Sequence, residues 1–544
     1  MNRFFHYFRS KPNQMRILIL SLSAVLHTVC LCQDKPQTSY LNQPNILWLV
    51  CEDQSLFFTP YGDTNAFTPN INQLAENGEV YENCFAVSPV CSPSRSSIIT
   101  GMYPTTIGTQ NMRSYKKDTT SKSNHNNLPF YSPIPQKNTQ FFPELLRHNG
   151  YYCTNRSKED YNMIPSPLAW DESSPKAHWR NRKSNQPFFS IFNFNVTHES
   201  MIWKNHFKDS AKSSVFQLPE LFPDENHIKN DFIVNYSNIE QLDLQVGEII
   251  DQLKEDGLFD NTIIFFFSDH GGPFPRYKRS IYDTGIHCPL VIKWEHQTVG
   301  SRNDQLISFI DFAPTVLDAL GINNKFYVEG LSFYKKDQRK YVFAASDRFD
   351  EFTDTRRCIR DRRYKLIINL DTLSAIGKPL SYRKQMKTMQ VIDSLKKHEI
   401  LKGYFNKWYQ SGKEKYEFYD LSNDPLELEN LFLDSLNKSK VKELKRELNS
   451  WMASSDYASL SERQMLNEMF PSDFSPKKLN PPIIERSDQG FVIHSNNGGA
   501  SIGYRVKGDN SWTIIEEGKL MKIASGFEII LFKPGFEIFQ QVVN

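Results

Sequence analysis

Over residues 42–340, short continuous apolar runs alternate with stretches whose apolar residues recur at helical spacing. Asn45-Ile46-Leu47-Trp48-Leu49-Val50, Pro187-Phe188-Phe189-Ser190-Ile191-Phe192-Asn193-Phe194 and Asn261-Thr262-Ile263-Ile264-Phe265-Phe266-Phe267 are such runs. Their length and lack of polar alternation predict strands buried on both faces of a mostly parallel sheet. Ile239, Leu242, Val246, Ile249, Ile250 and Leu253 fall three or four residues apart, which predicts a helix with one apolar face. This alternation places 42–340 in the α/β class, a mixed sheet flanked by helices. The pattern then changes. Strand-like 341–345 and 363–369, a charged helical stretch near 384–409 and the turn-bearing 417–425 predict a smaller antiparallel C-terminal subdomain over 341–455. Residues 456–488, with prolines clustered in 471–482, read as a linker. Short β-type runs at 501–506 and 527–532 predict a small appended β-sandwich-like domain over 489–544.

The amino terminus changes the cellular picture. Arg16 precedes an apolar stretch, Ile17 to Leu31, that is too short to span a bilayer comfortably. Residues 1–32 therefore read as a signal peptide, which predicts a secreted or periplasmic protein with no stable membrane insertion. The 544 residues have a formal net charge of +2, which argues against a nucleic-acid partner. Basic clusters at Trp179-Arg180-Asn181-Arg182-Lys183 and within 356–363 are compatible with a polyanionic substrate. Of eight cysteines, Cys30 and Cys32 would leave with the signal. The rest are scattered without the spacing of a disulfide framework.

Candidate chemistry collects where apolar runs end. The first run leads into Cys51-Glu52-Asp53 and the third into Ser268-Asp269-His270-Gly271-Gly272. Ligands of open α/β sheets gather outside the carboxyl ends of the strands, so Glu52, Asp53, Asp269 and His270 could converge. Their oxygens suit a hard divalent cation such as Ca²⁺. The second run leads into Thr197-His198-Glu199, and Lys158 and Lys278 add positive charge. Between a probable strand and helix stands Cys91-Ser92-Pro93-Ser94-Arg95.

That pentapeptide resembles the C-x-P-x-R signature of type I sulfatases, and the carboxylate pairs follow in that family's order. The resemblance implies an alkaline-phosphatase-like fold and hydrolysis of a sulfate ester or sulfamate. It implies that a formylglycine-generating enzyme oxidises Cys91 to formylglycine, whose hydrate attacks sulfur. By the same resemblance Cys91 joins Glu52, Asp53, Asp269 and His270 around one Ca²⁺. Arg95 and Lys158 steady the diol, and His198 and Lys278 hold the sulfuryl oxygens. Two positions depart from the family: Glu52 replaces an aspartate, and Asp160 falls where a diol-facing histidine is usual. The region to Arg113 and Asp347-Arg348-Phe349-Asp350-Glu351 look most like the bacterial group near heparan N-sulfatase. This suggests a sulfated polysaccharide or oligosaccharide substrate, with Asn111, Arg113, Asp347 and Arg348 as candidate sugar contacts. Two other classes stay open: a phosphonate monoester hydrolase or phosphodiesterase with the same metal site, and an inactive secreted glycan-binding protein.

Overall fold

The computed structural model describes residues 43–115, 128–205, 216–324, 326–336, 339–523 and 526–544. The expected signal peptide, 1–32, lies outside them. A nine-stranded mixed sheet organises the first part of the chain. Its strands are β1 (Asn45–Cys51), β2 (Glu79–Phe85), β3 (Tyr152–Arg156), β4 (Glu172–Ser173), β5 (Phe188–Phe194), β6 (Thr262–Ser268), β7 (His287–Cys288), β8 (Leu290–Lys293) and β9 (Ser301–Ser308). They lie in the order β4-β3-β5-β1-β6-β8-β2-β7, with β9 on β2.

β1 is central, and its seven residues are all buried because each face is covered. Ile46, Trp48 and Val50 enter one apolar cluster with the helix Phe312–Ala319. Leu47, Leu49 and Cys51 enter the other, against the 30-residue helix Asn226–Glu255. Trp48 packs edge-on to Phe189 at 5.0 Å and to Phe267 at 5.4 Å, which locks β5 and β6 to either side of it. Both neighbours run parallel to β1, with Cys51 in register with Phe194 of β5 and Ser268 of β6. The three segments singled out from the sequence therefore leave adjacent strand ends at one level.

A four-stranded antiparallel sheet follows: β10 (Val342–Phe349), β11 (Phe352–Arg360), β12 (Tyr364–Asn369) and β13 (Tyr416–Asp420). The charged stretch near 384–409 forms the helices Lys387–Lys397 and Tyr404–Trp408. Residues 456–488, read from the sequence as a linker, carry the helix Glu462–Met469, capped by Ser461 and buried through Met465, Leu466 and Met469.

The last residues form two small antiparallel sheets. One contains β14 (Ile483–Ser487), β15 (Gly490–His494) and β18 (Leu520–Met521). The other contains β16 (Ser501–Val506), β17 (Thr513–Ile515), β19 (Phe527–Phe532) and β20 (Phe539–Val543). Ile530 and Phe532 are buried in the same cluster as Trp48, and Phe532 meets Phe141 at 5.9 Å. Pro44–Asn544 form one compact unit.

Candidate active site

Cys91 opens the helix Cys91–Thr100, whose ten residues are all buried. Val90 before it is extended (φ −157°, ψ 152°), and Gly101 closes the helix in the left-handed region at φ 69°. The Ser94 hydroxyl donates to the Asp269 carbonyl at 2.5 Å, which fixes the helix start against the end of β6. Cys91 Sγ then lies 3.3 Å from His270 Nε2 and 4.0 Å from Asp53 Oδ1.

Four potential ligand atoms, from Asp53, Cys91, Asp269 and His270, lie within 4.8 Å of one another, and all four residues are buried. Asp53 adopts φ 55°, and its N–H donates to Asp269 Oδ1 at 3.1 Å. His270 Nε2 approaches Asp53 Oδ1 at 3.0 Å, while Nδ1 lies 2.9 Å from the Gly271 carbonyl. Because that carbonyl can only accept, Nδ1 carries a proton and directs Nε2 into the cluster, the usual orientation of a ligating imidazole. Gly271 is obligatory for packing, since a Cβ there would stand 2.6 Å from Gly285 Cα. The two carboxylates and this imidazole fit a hard divalent cation.

Electrostatics hold the cluster in its charged form. Burial opposes ionisation of Asp53, but Lys278, His198 and His270 outweigh it and keep the carboxyl well below its usual range. Asp269 is likewise lowered against burial, by His270 and Arg95. Burial disfavours the His270 imidazolium, yet Asp269, Cys91 and Asp53 raise its pKa to about 10. The positive charge there counters two buried carboxylates, the place a bound cation would take.

The basic candidates Arg95, Lys158 and Lys278 are each paired with a carboxylate. Arg95 Nε pairs with Asp269 at 3.0 Å and Nη1 donates to Asn193 Oδ1 at 2.7 Å. Lys278 Nζ lies 2.7 Å from Asp53 Oδ2 and 3.3 Å from Glu199 Oε1. Lys158 Nζ lies 2.7 Å from Glu52 Oε2. Glu52 belongs to a second group, with Asp53 and His198, beside the four potential ligands. His198 Nε2 faces Lys278 Nζ at 3.5 Å, and burial together with Lys278 lowers its pKa. Asp160 accepts from the Ser92 hydroxyl at 2.6 Å and lies 4.0 Å from Lys158.

The four sugar-contact candidates are placed differently. Arg348 turns inward, donating to Glu462 at 2.6 Å and 2.9 Å, and Asn111 accepts from its N–H at 3.2 Å. Asp347 is buried and accepts from Arg357 at 2.9 Å. Arg113 alone is exposed. The basic cluster at 356–363 is largely internal as well. Arg356 pairs with Glu417 at 2.7 Å and Arg360 with Asp283 at 3.2 Å, because the β11 side chains face packed neighbours rather than solvent.

Sequence reasoning passed over Glu199, Arg279 and Arg383. Glu199 donates its N–H to Asp53 Oδ2 at 2.6 Å and takes Arg279 at 2.8 Å. Arg383, some hundred residues later, donates to the Lys278 carbonyl at 2.7 Å. Adjacency to His198 and Lys278 was the available signal for the first two, and none existed for Arg383.

The Sulfatase family model matches residues 44–166 and 170–322. A second, described as N-sulphoglucosamine sulphohydrolase, C-terminal, matches 273–377. An ulvan-active sulfatase of Formosa agariphila is 38% identical, over 91% of this chain and 90% of its own. Human N-sulphoglucosamine sulphohydrolase is 21% identical over 79% and 92%. The solved structure of a 2-O GAG sulfatase shares the fold at a TM-score of 0.58 and 18% identity, covering 77% of this chain and 94% of that one. By its family match and by similarity along nearly its whole length, the chain belongs to the sulfatase family of sulfuric ester hydrolases, built on the alkaline-phosphatase-like fold.

Proposed function

We propose that this enzyme removes sulfate from a sulfated polysaccharide or oligosaccharide outside the cytoplasm, using formylglycine made from Cys91 and one divalent cation, Ca²⁺. The observation that carries this reading is Cys91 Sγ at the helix start, 3.3 Å from His270 Nε2 and 4.0 Å from Asp53, inside a carboxylate-rich cluster. Similarity to an ulvan-active sulfatase supports the glycan class. Asp53, Asp269 and His270 would hold the cation beside the modified Cys91. When bound, the cation acidifies a hydroxyl and neutralises sulfate charge.

One hydroxyl of the Cys91-derived diol attacks sulfur, and the bond from sulfur to the sugar oxygen breaks. Lys278 and Arg95 present fixed positive charge to the sulfuryl oxygens and the diol, the arrangement that contributes most to such steps. His198 Nε2 lies 3.5 Å from Lys278 Nζ on the sulfate side of the site, and this nitrogen is the one that would carry a proton to the departing oxygen. The second hydroxyl then loses its proton and expels sulfate. Asp160, held ionised by Lys158 and Ser92 although burial opposes it, accepts from the hydroxyl of Ser92, the residue after Cys91, at 2.6 Å, and is our candidate for the base in that proton loss.

The test is co-expression with a formylglycine-generating enzyme, mass analysis of the Cys91 peptide, and a panel of sulfated glycans resolved by position, ulvan and an N-sulfated glucosamine among them. Formylglycine at Cys91 with sulfate release from a glycan is the expected result. Active material containing only the thiol would overturn the mechanism. Faster hydrolysis of an aryl phosphodiester than of any sulfate would overturn the reaction class.

A further inference from the structure

Exposed aromatic side chains among the described residues include Phe67, Tyr327, Tyr382 and Phe474. Of these four, Tyr382 is the one whose ring lies beside a site residue. It is 39% exposed, and its centroid is 6.5 Å from the His198 imidazole at 61°. Trp203, five residues beyond His198, stands edge-on to the same ring at 5.2 Å and 77°. Two partly open aromatic rings, one of them beside His198, retain apolar area that water solvates poorly and a ligand can cover.

The position of Tyr382 is tied to the catalytic cluster. Ser381 N–H donates to Glu351 Oε1 at 3.2 Å, and Gln385 Nε2 donates to the Tyr382 carbonyl at 3.3 Å. Arg383, buried directly after it, reaches the carbonyl of Lys278 at 2.7 Å. The segment is thereby anchored to the backbone of a sulfate-side lysine, and the ring sits at a fixed offset from His198. Lys384 is exposed beside it.

We infer that Tyr382 and Trp203 form a saccharide subsite, where the C–H face of the sugar ring bearing or adjoining the sulfated carbon stacks. The π-face of an aromatic ring is electron-rich and meets the weakly positive C–H edge of a pyranose. With the sulfuryl group held by Lys278 and His198, a stacked ring adds binding energy to the sugar that carries the sulfate. The subsite therefore selects sulfated sugars over small flexible sulfate esters. This inference rests on the glycan-sulfatase reading given above.

The experiment uses the full-length matured enzyme with Tyr382→Ala and Tyr382→Phe, on a sulfated oligosaccharide that the parent desulfates. Inhibition by the desulfated oligosaccharide and by inorganic sulfate is measured in parallel, with melting curves as the folding control. Tyr382→Ala should raise KM and weaken inhibition by the desulfated sugar about fivefold, the size of an aromatic contact. Its kcat should stay within about twofold, its inhibition by inorganic sulfate should not change, and Tyr382→Phe should match the parent. An unchanged KM in Tyr382→Ala, with the parent active on glycans, would overturn the subsite alone. Weakened inhibition by inorganic sulfate would instead make Tyr382 a support for His198 and also overturn it. A parent that hydrolyses aryl sulfates but no sulfated glycan would overturn the glycan reading and the subsite together.

Discussion

Asp269 is the residue on which the site turns, because its carboxylate meets Arg95 at 3.0 Å and the Asp53 N–H at 3.1 Å and faces His270 across the cluster. Asp269→Asn keeps the shape and removes one charge. Bound Ca²⁺ measured by elemental analysis should fall to background, and kcat/KM should drop by about a thousandfold, as for loss of a transition-state charge contact. Full metal occupancy in that variant would remove Asp269 from the ligand set. Glu199 makes a second residue-scale case. Its carboxylate gathers Arg279 at 2.8 Å, Lys278 at 3.3 Å and Arg383 at 4.0 Å. Glu199→Gln leaves these buried cations without their shared counter-charge, a change that typically costs about 3–5 kcal/mol. Chemical denaturation should register this as a lower midpoint.

At the scale of elements, the helix Glu462–Met469 pins β10 through the Arg348–Glu462 pair, both side chains being almost fully buried. Arg348→Ala is expected to destabilise by about 3 kcal/mol, with KM for a sulfated oligosaccharide unchanged. A raised KM at unaltered stability would return Arg348 to the role of sugar contact. The helix Phe142–His148 makes a comparable junction with the tail, since the Ser501 hydroxyl of β16 donates to the carboxylate of Glu144. Burial holds the Glu144 carboxyl up at about 7, against an unfolded value of 4.5, with Ser166, Ser501 and Arg147 offsetting only part of that. Between those values the folded protein keeps a proton that the unfolded chain has lost. Stability therefore falls as pH rises through that window, by about 3 kcal/mol for this group. Glu144→Gln should flatten the profile and melt above the parent at pH 8.

At the scale of the whole molecule, the tail is built into the core. Ile530 and Phe532 share the cluster of Trp48, and Arg147 reaches Ser511 at 2.9 Å. Deleting 489–544 strips two large side chains from that cluster, each worth about 3 kcal/mol or more, so the truncated protein should be poorly soluble or melt well below the parent. A truncated form with parental melting and aryl-sulfate turnover would mark the tail as an accessory domain. The sequence by itself determined the α/β class, the strand ends and the Cys91–Arg95 helix start, because buried parallel strands are written as continuous apolar runs and the chemistry sits one or two residues beyond them. Asp53, Asp269 and His270 were legible for that reason. The tertiary structure alone decided that Glu52 groups with Asp53 and His198, that Arg348 and Arg356 face inward, and that Arg383 and Tyr382 reach Lys278 and His198, each more than a hundred residues earlier. Such partners depend on strand register and on packing between distant segments, and no local pattern of apolar and polar positions encodes the direction in which a charged side chain turns.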